Sequence, residues 1–130
     1  MDAPSKRKAV LGLVFDAQNH VLLIRRTNES RWLFPGGKVE PGESEEAAVV
    51  REVEEESGVR CRAEASLGRR IHPETQWELS YWLCSAASHQ ISPRNPREIA
   101  EARFFSARAA LTLLGDALYA PVRAVLSSRI

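Results

Sequence analysis

Glutamates concentrate between Glu40 and Glu56, in a segment whose spacing predicts a helix over residues 44–57. Projected at about 100° per residue, Glu52, Glu55 and Glu56 fall together on one side of that helix. Like charges at this spacing repel each other, and neither Glu52 nor Glu56 has a basic partner one turn away. A hard divalent cation such as Mg²⁺ would relieve the repulsion, because it prefers oxygen ligands. The pattern therefore indicates a metal site suited to phosphate chemistry, with a solvated acidic face as the alternative.

Signals on either side of the acidic segment define where the helix begins and ends. Ser44 is a favourable N-cap, and Gly58 is a favourable left-handed residue after the last turn. Valines on another side of the helix predict the stripe that faces the core. Before the helix, Gly36 and Gly37 permit backbone conformations that bring peptide groups close to a metal or a phosphate.

A longer pattern surrounds these residues. It consists of Gly37, Glu43 and the run Arg51-Glu52-Val53-Glu54-Glu55-Glu56-Ser57-Gly58-Val59. Its order and spacing resemble the Nudix box, and every defined position of the box is filled. The preceding run, Trp32-Leu33-Phe34-Pro35-Gly36-Gly37-Lys38-Val39-Glu40, resembles the entry to the box in MutT-like members. On these motifs the chain is identified as a member of the Nudix hydrolase family.

The resemblance implies an enzyme that uses Mg²⁺ or Mn²⁺ to cleave nucleoside diphosphates linked to a further group, X. It also implies the Nudix α/β/α sandwich with a mixed β-sheet. The implied metal ligands are Glu52, Glu55, Glu56 and the backbone carbonyl of Gly37. Arg51 would belong to the catalytic group and hold a glutamate in place. The general base is left open, with Glu52 and Glu56 as the leading candidates.

The resemblance leaves the substrate open. The small size and the MutT-like entry favour a (d)NTP, in ordinary, oxidised or modified form, that is cleaved to a nucleoside monophosphate and pyrophosphate. One alternative is a hydrolase of ADP-ribose or of a dinucleoside polyphosphate. The other is a non-catalytic domain that senses a nucleotide. Such domains usually have a degraded box, so the filled box favours catalysis.

Charged residues outside the box are further candidates for the site. Many family members recruit another acid from the second half of the chain, and Glu98 and Glu101 are the candidates for that metal ligand. By analogy with MutT-like members, Arg25 and Lys38 are candidates for substrate contacts through phosphate oxygens. The alternative for each of the four is an ordinary surface charge.

Aromatic residues in the predicted strands offer a surface on which a base can stack. Trp32 and Phe34 alternate along the segment that leads into the box, so they are the best candidates for substrate binding. Trp77, Tyr81 and Trp82 are weaker candidates, because aromatic residues in strands more often belong to the core.

The rest of the sequence predicts the elements that must position these residues. Apolar runs bounded by turn residues predict strands at 9–15, 20–26, 32–34, 59–66, 77–84 and 102–105. Helices are expected at 44–57, 107–114 and 120–128. The Pro35-Gly36-Gly37 run is expected to end the third strand, and residues 88–97 to form an exposed loop. Strands that surround one central helix predict the α/β class with a mixed sheet.

Composition limits the remaining possibilities. The 130 residues are enough for one domain, expected at residues 9–130 after a flexible arm at residues 1–8. Eighteen Lys and Arg balance seventeen Asp and Glu, which argues against a polybasic binder of nucleic-acid polymers or membranes. Cys61 and Cys84 are expected to be buried free thiols. We expect a cytoplasmic protein that acts on a small nucleotide, with a homodimer as a possible assembly.

Overall fold

The computed structural model of the protein describes residues 7–130. Within this range the chain forms a seven-stranded sheet and three helices. The strands are β1 (Lys8–Phe15), β2 (Val21–Arg26), β3 (Trp32–Leu33), β4 (Gly36–Lys38), β5 (Cys61–Ile71), β6 (Glu78–Ala86) and β7 (Ile99–Phe105). The helices are α1 (Glu45–Ser57), α2 (Ala107–Leu114) and α3 (Ala120–Ser128).

Strand β1 lies at the centre of the sheet. It pairs in parallel with β6 along its whole length and antiparallel with β2 and β4. The order across the sheet is β3-β2-β1-β6-β5, with β4 beside β1 and β7 beside β2. The sheet is therefore mixed, which confirms the sequence prediction.

The alternation of side chains along β1 assigns them to two cores. Val10 packs with Val49 and Val53 of α1 on one face of the sheet. Leu13 packs with Leu126 of α3 on the other face. Each fully buried valine or leucine contributes about 1.5–3 kcal/mol through removal of apolar surface from water. One helix covers one face and two helices cover the other, so the α/β/α sandwich is confirmed.

Two strand predictions were wrong in ways that have a local cause. Gly36 and Gly37 were expected to end a strand, but they form β4 against β1. The approach is so close that a Cβ on Gly36 would lie 2.0 Å from the carbonyl oxygen of Val10. Strand β5 continues to Ile71 instead of ending at residue 66, because irregularities in its pairing with β6 accommodate Gly68.

Two residues of the predicted arm, Arg7 and Lys8, lie against the sheet. Lys8 belongs to β1, and the carbonyl oxygen of Arg7 accepts a hydrogen bond of 2.8 Å from the N–H of Glu78. The Arg7 guanidinium lies 5.7 Å from the centre of the Trp77 ring. Contacts with β6 and the residue before it thus hold Arg7 and Lys8, which the sequence analysis had included in the arm. The other residues of the predicted arm, 1–6, lie outside the described residues.

Two further findings concern the cysteines and the length of the helices. Cys61 and Cys84 are buried and free, as predicted. Both belong to the core beneath α1. Among residues 7–130, no helix has the length and apolar character needed to cross a bilayer.

Candidate active site

Helix α1 is fixed at both ends. The Ser44 hydroxyl accepts a hydrogen bond of 3.1 Å from the Ala47 N–H, and Gly58 ends the helix with φ of 82°. With the valine stripe buried against the sheet, the adjacent side of the helix faces a cleft of about 260 Å³, which we term the carboxylate cleft. The glutamates of α1 that line this cleft are Glu52, Glu55 and Glu56.

The two glycines before α1 touch its glutamates directly. The Gly36 N–H donates a hydrogen bond of 2.8 Å to Oε1 of Glu56. A Cβ on Gly37 would lie 2.5 Å from Oε2 of Glu52, which is closer than real Cβ atoms come. Glycine at position 37 therefore lets the Glu52 carboxylate lie against the backbone of β4.

The Arg51 guanidinium donates its hydrogen bonds to oxygen atoms of the protein itself. Its Nε and Nη2 donate to the two oxygens of Glu43 at 2.8 and 2.9 Å, and Nη2 also donates to the Lys38 carbonyl at 3.0 Å. Its Nη1 lies 2.9 Å from an oxygen of Glu52 and 3.4 Å from Glu55. Arg51 therefore ties α1 to the preceding loop and orients Glu52.

The pKa values of the glutamates differ sharply across the site. Burial raises the pKa of Glu56 to about 7, and the nearby carboxylates of Glu52 and Glu98 add to the rise. Burial also raises the pKa of Glu52. By contrast, hydrogen bonds from Arg51 lower the pKa of Glu43 to about 2. Negative charge is therefore well compensated at the loop and poorly compensated in the carboxylate cleft.

Of the two acids predicted from the second half of the chain, the structure brings one to the cleft. Glu98 lines the carboxylate cleft with the glutamates of α1. Glu101 instead pairs with Arg25 at 3.5 Å and with Arg103. The register between β2 and β7 shifts at this point, so Glu101 is held within the sheet and Glu98 precedes it.

The loop that carries this acid is exposed, as predicted for residues 88–97, but it is also anchored. The Ser92 N–H donates to the Ser57 carbonyl at 2.7 Å, and the Arg94 N–H donates to the Glu55 carbonyl at 2.9 Å. These carbonyls belong to the last turn of α1, where no helical partner is available. The loop therefore supplies hydrogen-bond donors to the free carbonyls at the end of α1. This contact fixes the loop so that Glu98, which follows it, reaches the carboxylate cleft.

The donors around the carboxylate cleft fit a hard divalent cation. They are the carboxylate oxygens of four glutamates, the ligand type that Mg²⁺ and Mn²⁺ prefer, and Gly37 lies against one of them, Glu52. Among residues 7–130, no three His, Cys, Asp or Glu side chains already converge as a metal-ligand group.

The predicted phosphate contacts differ in their availability. Arg25 is held by Glu101, whereas Lys38 is exposed on β4. Arg26, which the sequence reasoning missed, has Nη2 3.4 Å from Oε2 of Glu56. Strand alternation was the available signal, because neighbouring residues of β2 must point to opposite faces and only one of the two arginines reaches α1.

A second cleft, of about 370 Å³, lies on the other face of the sheet beneath the segment that joins α2 to α3. Trp32 and Phe34 line it, together with Tyr81 and Tyr119, and we term it the aromatic cleft. Arg26 lines this cleft too and so connects it to Glu56.

The other aromatic candidates lie elsewhere. Trp82 faces α1, where its Nε1 donates to Oε1 of Glu45 at 3.2 Å. Trp77 lies against Arg7. Sequence reasoning missed Tyr119 and Arg70 in the aromatic cleft, because no local motif joins them to Trp32.

The family model described as the NUDIX domain matches residues 5–125. The chain belongs to the Nudix family. The matched range includes the carboxylate cleft, the aromatic cleft and the whole Nudix box at residues 37–59. The family prediction made from the box is confirmed.

Curated relatives of this Nudix chain have different named activities. A Bacillus subtilis (strain 168) protein named putative 8-oxo-dGTP diphosphatase is 39% identical over 78 residues, covering 60% of this chain and 52% of that protein. An Erythrobacter litoralis (strain HTCC2594) protein named RNA pyrophosphohydrolase is 30% identical over 111 residues, covering 69% of this chain and 65% of that protein. The chain spans about half the length of the first relative and about two thirds of the second.

Solved structures agree on the fold. A NUDIX hydrolase from Nitrosomonas europaea superposes with a TM-score of 0.82, covering 98% of this chain and 74% of that chain. Its sequence identity is 18%, so the likeness concerns architecture alone. The Nudix α/β/α sandwich is therefore shared well beyond the residues of the box.

Proposed function

We propose that the chain is a Nudix hydrolase that uses Mg²⁺ or Mn²⁺ to cleave a (d)NTP to a nucleoside monophosphate and pyrophosphate. One observation carries the proposal. Arg26 contacts Glu56 of the carboxylate cleft and also lines the aromatic cleft, so a site for phosphate chemistry adjoins a site for a base. The relatives' names, putative 8-oxo-dGTP diphosphatase and RNA pyrophosphohydrolase, support the reaction class.

Glu52, Glu55, Glu56 and Glu98 would hold the metal with the carbonyl of Gly37. When bound, a divalent ion neutralises phosphate oxygens and lowers the pKa of coordinated water. Glu101 has no part in this proposal, because its carboxylate is paired with two arginines.

The chain's own residues supply the remaining steps. Glu52 or Glu56 accepts a proton from the attacking water while the water oxygen forms a bond to phosphorus. The P–O bond that bridges the α- and β-phosphorus atoms breaks, and its electron pair leaves with the product opposite the attacked phosphorus; attack at either atom yields the nucleoside monophosphate and pyrophosphate. Arg51 acts indirectly, by holding Glu52 against β4.

Substrate binding involves the residues at the mouth of both clefts. Lys38, exposed next to Gly37, and Arg26 contact phosphate oxygens. Trp32 and Phe34 form a wall for the base. Arg25 supports this wall, since its guanidinium lies 6.0 Å from the centre of the Trp32 ring and is held by Glu101.

The test is a metal-dependent hydrolysis screen of NTPs, dNTPs, 8-oxo-dGTP, ADP-ribose and diadenosine polyphosphates, with pyrophosphate and phosphate measured separately. We expect pyrophosphate release from a triphosphate, and loss of at least about a hundredfold in kcat in the Glu55→Gln/Glu56→Gln variant. Glu46→Gln is the matched control, because Glu46 is exposed on the same helix and lines neither cleft.

Each other outcome has a defined meaning. Cleavage of only ADP-ribose or a dinucleotide would move the substrate class to that alternative. Tight metal-dependent nucleotide binding without turnover would indicate a sensor. Unchanged turnover in the double variant would contradict the site assignment.

We also propose what the enzyme binds, where it is located and how it assembles. Its partner is a free nucleotide instead of a nucleic-acid polymer or a membrane, and its near-neutral charge balance supports that choice. The buried free thiols support a cytoplasmic location. A homodimer is the proposed assembly, and sedimentation of the purified protein measures it.

A further inference from the structure

Arg70 lies in the aromatic cleft at the end that β5 forms, away from the carboxylates. Its Nε donates a hydrogen bond of 3.1 Å to the Tyr81 hydroxyl. The guanidinium carbon lies 5.9 Å from the ring centres of both Tyr81 and Tyr119. Two tyrosines thus hold the side chain, which lines the cleft, and among residues 7–130 its Nη1 and Nη2 form no hydrogen bond with a protein acceptor.

The backbone at Gly68 creates room for this arrangement. Gly68 has φ of 116°, and a Cβ there would lie 2.6 Å from the Tyr119 hydroxyl oxygen. That hydroxyl donates to the Arg69 carbonyl at 3.1 Å, which ties the segment between α2 and α3 to β5. The Tyr119 ring also packs 5.1 Å from the Tyr81 ring, centre to centre. The end wall of the cleft is therefore held in place by specific contacts between Gly68, Tyr81 and Tyr119.

Among the arginines that line this cleft, Arg70 alone combines fixation with free donors. Arg26 pairs with Glu56 at the opposite end, and Arg31 is exposed on the loop before β3. No carboxylate among residues 7–130 forms an ion pair with Arg70. A half-buried guanidinium without a partner gains most from a ligand that presents acceptors in its plane.

The floor of the cleft indicates what kind of ligand presents those acceptors. Between Arg26 of β2 and Arg70 of β5 it is formed by Leu11 of β1 and by Leu79 of β6. The two arginines therefore lie on different strands of the sheet, with an apolar surface between them. A flat, apolar body with polar atoms on its far edge fits this surface better than a second phosphate group.

We propose that Arg70 determines base specificity by donating from its planar fork to O6 and N7 of a guanine base whose phosphates lie at the carboxylate cleft. This inference rests on the proposed function and deepens it. Guanine presents two adjacent acceptors to an arginine, whereas adenine presents N7 beside an N–H donor. An 8-oxoguanine carries a hydrogen on N7 and offers only O6 to the fork, so Arg70 favours the unoxidised base.

The test compares dGTP, 7-deaza-dGTP and dATP by kcat/KM in the wild type, Arg70→Gln and Arg70→Lys. In 7-deaza-dGTP a C–H group replaces the N7 acceptor and the rest of the nucleotide is unchanged. The wild type should prefer dGTP over each of the others by about tenfold. Arg70→Gln should lose that preference, and Arg70→Lys should lose most of it, because an ammonium keeps the charge but not the fork.

Arg62→Gln is the matched control. Arg62 lies on the same strand, its side chain is 80% exposed, and it lines neither cleft, so its replacement should keep the preference. Arg70→Lys serves as the working variant if Arg70→Gln does not fold. Equal kcat/KM for dGTP and 7-deaza-dGTP in the wild type, or an unchanged preference in Arg70→Lys, would overturn the inference.

A second readout separates this inference from the proposed function. Calorimetric binding of dGMP and 7-deaza-dGMP needs no turnover. Tighter binding of dGMP by the wild type and equal binding by Arg70→Lys would uphold the role of Arg70 even if the chain hydrolyses none of the triphosphates. Equal binding of both nucleotides by the wild type, or binding of neither, would overturn it even if triphosphates are hydrolysed.

Discussion

The carboxylate cleft and the aromatic cleft belong to opposite faces of the sheet and meet at Arg26. The first is formed by α1 with the loop that ends at Glu98, and acids dominate its lining. The second combines β1, β3, β5 and β6 with the segment between α2 and α3, and its lining is largely apolar and aromatic.

This difference suggests a division of labour between the two clefts. Carboxylates and a metal act on the phosphate groups that all nucleotides share. A shaped apolar cleft with a few fixed polar groups distinguishes one base from another. Changes in the carboxylate cleft should therefore lower turnover of all nucleotides alike, and changes in the aromatic cleft should alter the choice among them.

Among substitutions outside the glutamates, the largest effect is expected from Gly37→Ala. The new Cβ would lie 2.5 Å from Oε2 of Glu52, so the carboxylate must move away from β4. Displacement of a catalytic group by about 1 Å costs about a hundredfold in rate, and we expect a loss of that order in kcat for all nucleotides. Steady-state kinetics measures it, with Glu40→Ala, an exposed side chain in the loop after β4, as the control. A change confined to one nucleotide would break the division between the clefts.

Gly68→Ala, at the aromatic cleft, should have a smaller effect, and one on KM instead of kcat. The φ of 116° strains alanine by about 1–3 kcal/mol, and the new Cβ displaces the Tyr119 hydroxyl. KM should rise several-fold while kcat stays within about twofold, because the carboxylate cleft is untouched. Urea unfolding and steady-state kinetics report the two effects separately. A fall in kcat with unchanged KM would contradict this prediction.

The smallest effect concerns pH and the loop that supports the carboxylate cleft. Arg51 lowers the pKa of Glu43 from 4.5 to about 2. The pairing therefore stabilises the fold fully above pH 4.5, and this contribution is lost as the pH falls toward 2. Glu43→Gln should be less stable than the wild type near neutral pH, with a gap that narrows below pH 4.5. Urea unfolding at several pH values tests this, and a gap independent of pH would refute it.

The two clefts also differ in how far the sequence predicted them. Glu52 lies about one helical turn before both Glu55 and Glu56, so their shared side follows from spacing alone. The choice between Glu98 and Glu101 did not follow, because it depends on a register shift between β2 and β7. The sequence identified both acids as candidates, and only the folded structure shows that Glu98 lines the cleft while Glu101 does not.

The aromatic cleft was predicted only on the side that leads into the Nudix box. Trp32 and Phe34 were found because they alternate next to a recognisable motif. Arg70 and Tyr119 meet through the pairing of β5 with β6 and the packing of the segment after α2. Such contacts depend on tertiary structure, and Gly68, which permits them, lies outside the Nudix box and its entry.

The central claim is that chemistry and base selection reside in separate clefts. Its most direct test measures kcat/KM for dGTP and dATP in the wild type, Glu56→Gln and Arg70→Gln under one set of conditions. We predict that Glu56→Gln lowers both values by the same factor, at least about a hundredfold, and that Arg70→Gln changes their ratio. Near-normal values for Glu56→Gln, or an unchanged ratio for Arg70→Gln, would contradict the account.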